Sequence, residues 1–223
     1  MSVIFLNGFF DKKYKFIFVS LYHQDSKFLH DYLSECIQDD NDAIILRSNE
    51  QEEFMQLTDI RTNYCKDEKE FESYKKFTFV RDPFDIMVSY YLFKEKQYEN
   101  IIRKNKEAVL SDEQKDFTRL HFLGWIRKYG NKNIFLNNKA TQCECLSDKN
   151  KIMLVDSIGH CENLEEHLIE ILNSVGIKKE RKDIKAPTIH QDPKESLYDF
   201  TAKEIVRDKF INDLNYLGYD HFV

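Results

Sequence analysis

Short apolar runs rich in Phe, Ile and Val alternate along this chain with longer segments in which apolar residues recur at helical spacing. The short runs lie at residues 15–20, 42–46, 77–80, 133–136 and 151–157. They are too short for ordinary helices, and their composition favours buried strands. Alternation of such strands with helices is typical of an α/β domain with a largely parallel sheet.

The longer segments predict amphipathic helices. They lie at residues 28–37, 49–57, 83–93, 112–129, 161–177 and 201–223. Asp25 or Ser26 is expected to cap the first of them and Thr201 the last, while Gly130 and Gly176 close two others. In parallel sheets, ligands bind where the carboxyl ends of strands run into helix N-termini. Residues 22–27 and 81–84 are therefore the candidate binding loops.

Composition narrows the class of protein. A chain of 223 residues with 42% apolar residues is long enough to bury its own core, and we expect a single domain over residues 1–223. The net charge of −6 argues against broad nucleic-acid binding, which needs a basic face, but it permits a local basic pocket. Charged residues interrupt the apolar N-terminal stretch, so neither a signal peptide nor a membrane span is predicted.

The five cysteines do not follow the regular spacing of a secreted disulfide scaffold, which favours a reducing compartment. Cys143, Cys145, His160 and Cys161 form a conceivable zinc set. We disfavour it because structural zinc sites normally contain Cys-x-x-Cys pairs, whereas Cys-x-Cys places its two thiolates on opposite faces of an extended segment. No metal site is therefore expected.

The stretch FVRDPFDIMVSYY places an arginine where a strand ends and a serine on the helix that follows. Pro83 suits the first position of that helix. Arg81 and Ser89 can face one ligand group if the chain turns back at Asp82, and a guanidinium with a hydroxyl suits a phosphate. Spacing alone equally permits a second interpretation, in which Arg81 pairs with a nearby carboxylate and the motif only starts a helix.

The same stretch resembles the nucleoside 3'-phosphate-binding motif of sulfotransferases that use 3'-phosphoadenosine 5'-phosphosulfate (PAPS), in particular the carbohydrate sulfotransferase branch. VDSIGHCENLEEHLIEILNSVGI and SLYDFTAKEIVRDKFINDLNYLGYD are similar to later segments of that family, in the same order. The resemblance implies a P-loop-NTPase-like α/β fold, a parallel sheet flanked by helices, with PAPS as co-substrate. It also implies that Arg81 and Ser89 bind the 3'-phosphate.

The family's loop for the 5'-phosphosulfate, similar to Pro-Lys-Thr-Gly-Gly-Thr, is altered in this chain. The aligned residues are Tyr22, His23, Gln24, Asp25, Ser26 and Lys27. The resemblance implies that Gln24, Asp25 and Ser26 face the donor and that His23 or Lys27 replaces the family's lysine as the catalytic cation. Asp25 brings a negative charge near a sulfate, and the loss of glycines restricts close backbone approach. Equally, His23 and Lys27 can be ordinary loop residues.

The resemblance implies a hydroxyl acceptor, a carbohydrate or similar small molecule. The sequence does not specify the general base, for which His30, Glu52, Glu53 and His121 are chemically suitable. Eukaryotic carbohydrate sulfotransferases are usually Golgi-anchored, and since this sequence shows no anchor we expect a cytoplasmic protein.

Two rival functions remain to be weighed. A catalytically degraded member would keep the fold and act as a nucleotide-binding or scaffold module, and the altered loop is the reason to consider it. A P-loop kinase is disfavoured because the chain contains no Gly-x-x-x-x-Gly-Lys-Ser/Thr.

Overall fold

The computed structural model divides the chain into two compact units. The first, the sheet unit, is Met1–Val80 with Phe135–Ile189, and the second, the helical unit, is Arg81–Ile134 with His190–Val223. The structure describes residues 6–11, 14–21, 23–36, 44–47, 57–105, 108–134, 141–178 and 197–219. Side chains are not described for residues 6–11, 23–27, 30, 44–47 and 59 within these ranges.

The strands of the sheet unit are β1 (Leu6–Asp11), β2 (Phe16–Val19), β3 (Ile44–Arg47), β4 (Lys75–Val80) and β5 (Ser157–His160). Among the described residues they form one sheet in the order β3-β1-β2-β4-β5. β2, β4 and β5 are parallel, whereas β1 runs antiparallel to both β2 and β3. The predicted α/β fold, with a parallel sheet flanked by helices, is confirmed.

The helices of the sheet unit are α1 (His23–Cys36), α2 (Leu57–Tyr64), α3 (Glu68–Ser73), α7 (Gln142–Leu146) and α8 (Leu164–Ser174). Those of the helical unit are α4 (Pro83–Lys104), α5 (Asp112–Arg119), α6 (Phe122–Tyr129) and α9 (Phe200–Tyr216).

Helices cover the sheet on both faces because successive side chains of a strand point in opposite directions. Phe16 and Phe18 of β2 pack with α1 and α8 in one buried cluster. Ile17 and Val19 of the same strand pack with α2 and α3 in another. A run that is apolar at every position therefore buries both faces of its strand, as the sequence pattern predicted for residues 15–20.

The parallel strands end together at one edge of the sheet, which we call the carboxyl edge. Val19 of β2 pairs with Thr78 of β4, and Val80 of β4 pairs with His160 of β5. The Thr78 hydroxyl strengthens this register by donating a 2.7 Å hydrogen bond to the Val19 carbonyl. The segments that follow β2, β4 and β5 consequently all leave the sheet at the carboxyl edge.

Two strand predictions need correction. The run predicted at residues 151–157 does not form one strand. Met153 instead forms an isolated antiparallel bridge with Ser147. The turn between them is held by hydrogen bonds from the backbone N–H groups of Asn150 and Ile152 to the Asp148 carboxylate. The strand begins only at Ser157. Just before it, the backbone N–H of Asp156 donates to the Lys76 carbonyl, and the backbone N–H of Lys76 donates to the Asp156 carboxylate. The strand predicted at 133–136 is absent at residues 133 and 134, and the rest lies outside the described residues. β1 was not predicted.

The helical unit is built around Trp125, which is 1% exposed. Its indole ring lies in contact with the rings of Tyr90, Tyr91, Phe117, Phe122 and Tyr129. The single helix predicted over residues 112–129 is two helices, broken at Leu120 and His121. The carbonyl of Leu120 accepts a 2.8 Å hydrogen bond from the Tyr91 phenol, which gives this backbone group a partner where the helix is interrupted.

Helix ends also differ from the sequence prediction. α1 begins at His23, earlier than the expected caps Asp25 and Ser26. Asp199, rather than Thr201, caps α9 by accepting a hydrogen bond from the backbone N–H of Ala202. α8 with its terminal Gly176, at φ 87°, agrees with the prediction. The helix predicted at 49–57 lies outside the described residues except for Leu57, which begins α2.

Candidate functional site

The carboxyl edge of β2 leads directly into the N-terminus of α1. β2 ends at Val19 and the helix begins at His23, so residues 20–22 are the whole connection. Residues 23–27, predicted as a loop, are therefore the first turns of a helix, and Tyr22 lies outside the described residues. Backbone N–H groups of a first helical turn have no acceptor within the helix and can bind an anion.

His23, Gln24, Asp25, Ser26 and Lys27 are consecutive residues of α1. The described structure fixes their backbone in the helix and not their side chains. Asp25 falls in the first turn, where the helix dipole favours a negative side chain.

Arg81, Asp82 and Pro83 form the junction at which β4 ends and α4 begins. Asp82 is the N-cap, and its carboxylate accepts a 2.7 Å hydrogen bond from the backbone N–H of Phe84. Pro83 occupies the first helical position, where its missing N–H costs nothing. Arg81 precedes the cap and is buried, with 8% of its surface exposed.

Arg81 forms an ion pair with Asp85 on the first turns of α4. Its Nε lies 3.7 Å from Oδ2 of Asp85, and the two side chains are 10% and 6% exposed. This is the pairing with a nearby carboxylate that the second interpretation of the motif predicted. Asp85 itself was missed, although its position four residues after Arg81 is a signal for helical pairing.

Ser89 is half-buried and lies one further turn along α4. Asp85 and Ser89 are four residues apart within α4 and share one face of that helix. Arg81 lies outside α4, before its N-cap, and contacts this face through its ion pair with Asp85. A guanidinium and a hydroxyl can both donate to a phosphate.

Tyr198 supports the beginning of α4 within the helical unit. Its phenol donates a 2.8 Å hydrogen bond to the carbonyl of Phe84, and its ring meets the Phe84 ring edge to face at 5.2 Å. Burial, and then the nearby Asp82 carboxylate, raise the pKa of the Tyr198 phenol. The phenol therefore stays protonated and keeps donating. Residue spacing gave no sign of this contact.

A histidine pair occupies the carboxyl end of β5. The backbone N–H of His160 donates a 2.8 Å hydrogen bond to Nδ1 of His167, and the two rings lie 5.4 Å apart. Burial lowers the pKa of His160, with Glu162 opposing this shift and His167 adding to it. A neutral His160 at this edge can accept or donate a hydrogen bond through its ring nitrogens.

The conceivable zinc set is spread over α7, β5 and the 3₁₀ turn at Cys161–Asn163. Among the residues that the structure describes, no three His, Cys, Asp or Glu side chains are placed to hold a metal ion.

Among the candidate general bases, the structure describes the side chain of His121. His121 is exposed and precedes α6 as its N-cap. His30 lies within α1, where its side chain is not described, and Glu52 and Glu53 fall outside the described residues. Gln142 is buried at the start of α7.

Across the described ranges, no helix has the length and apolar character needed to span a membrane.

Comparison with known proteins gives one match. A model described as the sulfotransferase family matches residues 9–220. No curated protein and no solved structure matches the chain.

Proposed function

The chain belongs to the sulfotransferase family, and from this membership we propose that it moves a sulfuryl group from PAPS to a hydroxyl of a carbohydrate or a similar small acceptor. The observation that supports the proposal is the buried Arg81 paired with Asp85, a residue on the face of α4 that also carries the half-buried Ser89. A buried guanidinium needs anionic partners, and a phosphate dianion is a stronger partner than one carboxylate.

In this proposal, Arg81 and Ser89 bind the 3'-phosphate of the donor. The guanidinium supplies a planar fork of N–H donors that matches two phosphate oxygens, and the serine hydroxyl adds a third hydrogen bond. Burial of Arg81 strengthens these bonds because water competes less for the charge. Asp82 and Tyr198 hold the backbone at the beginning of α4 and so help to fix the position of the neighbouring Arg81 backbone.

The N-terminus of α1 is assigned to the 5'-phosphosulfate end of the donor. Gln24, Asp25 and Ser26 contribute backbone N–H groups or side chains there, and His23 or Lys27 contributes positive charge. Sulfuryl transfer, like phosphoryl transfer, spreads negative charge over equatorial oxygens, which cations and oriented N–H groups stabilise. The negative Asp25 weakens this stabilisation, so a cation from His23 or Lys27 is needed to offset it.

The donor supplies the sulfuryl group and departs as adenosine 3',5'-bisphosphate. The acceptor oxygen forms a bond to sulfur while the bond from sulfur to the 5'-phosphate oxygen breaks. A base takes the hydroxyl proton, and positive charge from His23 or Lys27 balances the negative charge that develops on the departing phosphate.

A second candidate is a member of the family that binds nucleotide without catalysing transfer. The observation that favours it is the start of α1 at His23, four residues after β2 ends, in a stretch without glycine. Without glycine, the backbone cannot approach a phosphosulfate as closely as a glycine-rich loop does. Such a protein would keep the 3'-phosphate contacts and serve as a binding or scaffold module.

Calorimetric titration with adenosine 3',5'-bisphosphate and with PAPS tests the shared part of both candidates. Arg81→Ala should weaken binding of either ligand by about 2 kcal/mol, roughly thirtyfold. Arg103→Ala is the matched control, since Arg103 is an exposed arginine at the far end of the same helix. Equal affinities for the native protein, Arg81→Ala and Arg103→Ala would refute the assignment of Arg81.

Transfer of labelled sulfate from PAPS to a panel of hydroxyl acceptors separates the two candidates. The enzyme is supported if the protein binds PAPS and transfers sulfate, and if His23→Ala or Lys27→Ala reduces that transfer. Binding of both nucleotides without transfer to any sugar, and without hydrolysis of PAPS, supports the binding module. Failure of both nucleotides to bind would overturn both proposals.

A further inference from the structure

We infer that Asp85 is a positioning residue, which holds Arg81 in the orientation that receives the donor's 3'-phosphate. The inference rests on the proposed function and deepens it by assigning a role to a residue that sequence spacing did not single out. Its basis is the buried ion pair between Arg81, which precedes α4, and Asp85, which lies on the face of α4 that also carries Ser89.

An arginine side chain is long and loses much rotamer freedom when it is fixed. Arg81 lies before the N-cap of α4, so no helical turn precedes it to constrain its side chain. Asp85, in contrast, belongs to the helix and is buried. A short carboxylate on a rigid helix is a suitable anchor for a longer, more flexible cation.

The Asp85 carboxylate approaches the Arg81 guanidinium from the side of Nε. Nε of Arg81 lies 3.7 Å from the Asp85 carboxylate, which is longer than the ~2.8 Å of a charge-assisted hydrogen bond. This is not the end-on, bidentate arrangement that a phosphate makes with the fork. A lateral carboxylate on α4 holds the guanidinium at the helix face that carries Ser89, one turn beyond Asp85.

Charge compensation gives the pair a second role. A buried guanidinium without a counterion is strongly unfavourable, and Asp85 supplies that counterion before a ligand arrives. Arg81 therefore need not turn toward water in the free protein. Part of the ordering that binding would otherwise require is already complete, which raises affinity.

The opposite role predicts the opposite result. If Asp85 competed with the phosphate for Arg81, removing its charge would tighten binding. If Asp85 positions Arg81, removing its charge weakens binding of ligands that carry a 3'-phosphate and leaves other ligands unaffected.

The first experiment compares Asp85→Asn with the native protein in titrations with adenosine 3',5'-bisphosphate and with 5'-AMP, which lacks the 3'-phosphate. We expect about tenfold weaker binding of the bisphosphate and an unchanged dissociation constant for 5'-AMP. The control is Glu204→Gln, which removes a carboxylate paired with Arg207 three residues away in α9. A loss of affinity shared by both nucleotides, or tighter bisphosphate binding, would overturn the inference.

A double-mutant cycle tests whether Asp85 acts through Arg81. In the Arg81→Ala background, Asp85→Asn should change bisphosphate affinity less than about twofold, because the group that it orients is gone. A tenfold loss in both backgrounds would show that Asp85 acts independently. If the native protein does not bind the bisphosphate, the proposed function itself is wrong. If the native protein binds it and Asp85→Asn binds it equally well, only the role assigned to Asp85 is wrong.

Nuclear magnetic resonance of the native protein keeps the inference testable even if Asp85→Asn does not fold. A positioned Arg81 should give a sharp Nε–H resonance in the ligand-free protein, assigned by its disappearance in Arg81→Ala. A signal that sharpens only when bisphosphate is added would show that the ligand, and not Asp85, orders the side chain.

Discussion

The phenol of Tyr198 donates a hydrogen bond to the backbone carbonyl of Phe84 at 2.8 Å, joining residues that are 114 positions apart in the chain. Phe84 is the second residue of α4, directly after the Arg-Asp-Pro junction. The beginning of the helix that carries Ser89 is therefore held by a segment near the other end of the sequence.

Tyr198→Phe should lower the free energy of unfolding by about 1 kcal/mol, because the substitution removes one buried hydrogen bond and keeps the ring contact with Phe84. Urea unfolding measures this change. Tyr216→Phe is the control, since Tyr216 is 75% exposed and should show no loss. Equal stability of the two variants would mean that the Tyr198 hydrogen bond contributes nothing.

Ser89→Ala should weaken binding of adenosine 3',5'-bisphosphate by about 1.5 kcal/mol, roughly tenfold, because a hydrogen bond to a charged phosphate is lost. Calorimetry gives the dissociation constants. Ser174→Ala, which removes a helical serine that donates to the Ile171 carbonyl, should leave them unchanged. Unchanged affinity in Ser89→Ala, with native binding intact, would remove Ser89 from the site.

Gly159→Ala should destabilise the sheet unit by more than about 1 kcal/mol, the lower end of the cost of overpacking a core. Gly159 of β5 pairs with Phe79 of β4, and an added Cβ would lie 2.4 Å from the Phe79 ring. Gly124→Ala is the contrasting variant, because its Cβ would meet Leu120 at an ordinary 3.6 Å. Alanine there should stabilise α6 slightly. Thermal unfolding of the pair should give shifts of opposite sign.

Stability should fall as the pH is lowered below 6.5, in part because of His160. Burial lowers its pKa in the folded chain below the ordinary value of 6.5. Between the two pKa values the unfolded chain binds more protons, so the free energy of unfolding rises with pH. The contribution is full above pH 6.5 and is lost as the pH falls toward the folded pKa.

His160→Gln should reduce this pH dependence, measured as the difference in unfolding free energy between pH 7 and pH 5. The comparison variant is His121→Gln, which makes the same substitution at an exposed histidine. A native-like pH profile in His160→Gln would contradict the assignment.

Periodicity predicted the elements whose apolar pattern is uniform. β2, β4 and α8 appear where the sequence placed them, because each run meets a complete buried face and has no competing pattern. The break between α5 and α6 was not predictable, since it depends on the Tyr91 phenol reaching the Leu120 carbonyl. The position of β5 depends in the same way on the hydrogen bonds that link Lys76 and Asp156.

The candidate functional site also has features that the sequence predicted and features that it did not. The arginine at the end of β4, the proline that starts α4 and the serine eight residues later were readable from the sequence, because strand exit, helix start and helical spacing are local properties. The ion pair of Arg81 with Asp85 is the carboxylate pairing that one interpretation of that spacing predicted. The actual start of α1 at His23, which turns the predicted loop into a helix N-terminus, was beyond local signals.

The sequence by itself determined the α/β class, the strand that ends at Val80 and the order of residues along the face of α4. These follow from side-chain periodicity and capping, which act over a few neighbouring residues. Only the tertiary structure decided that Tyr198 would support Phe84 and that β5 would pair with β4 from Ser157 onward. Such contacts join distant parts of the chain, and no local pattern records which buried donor will meet which buried acceptor.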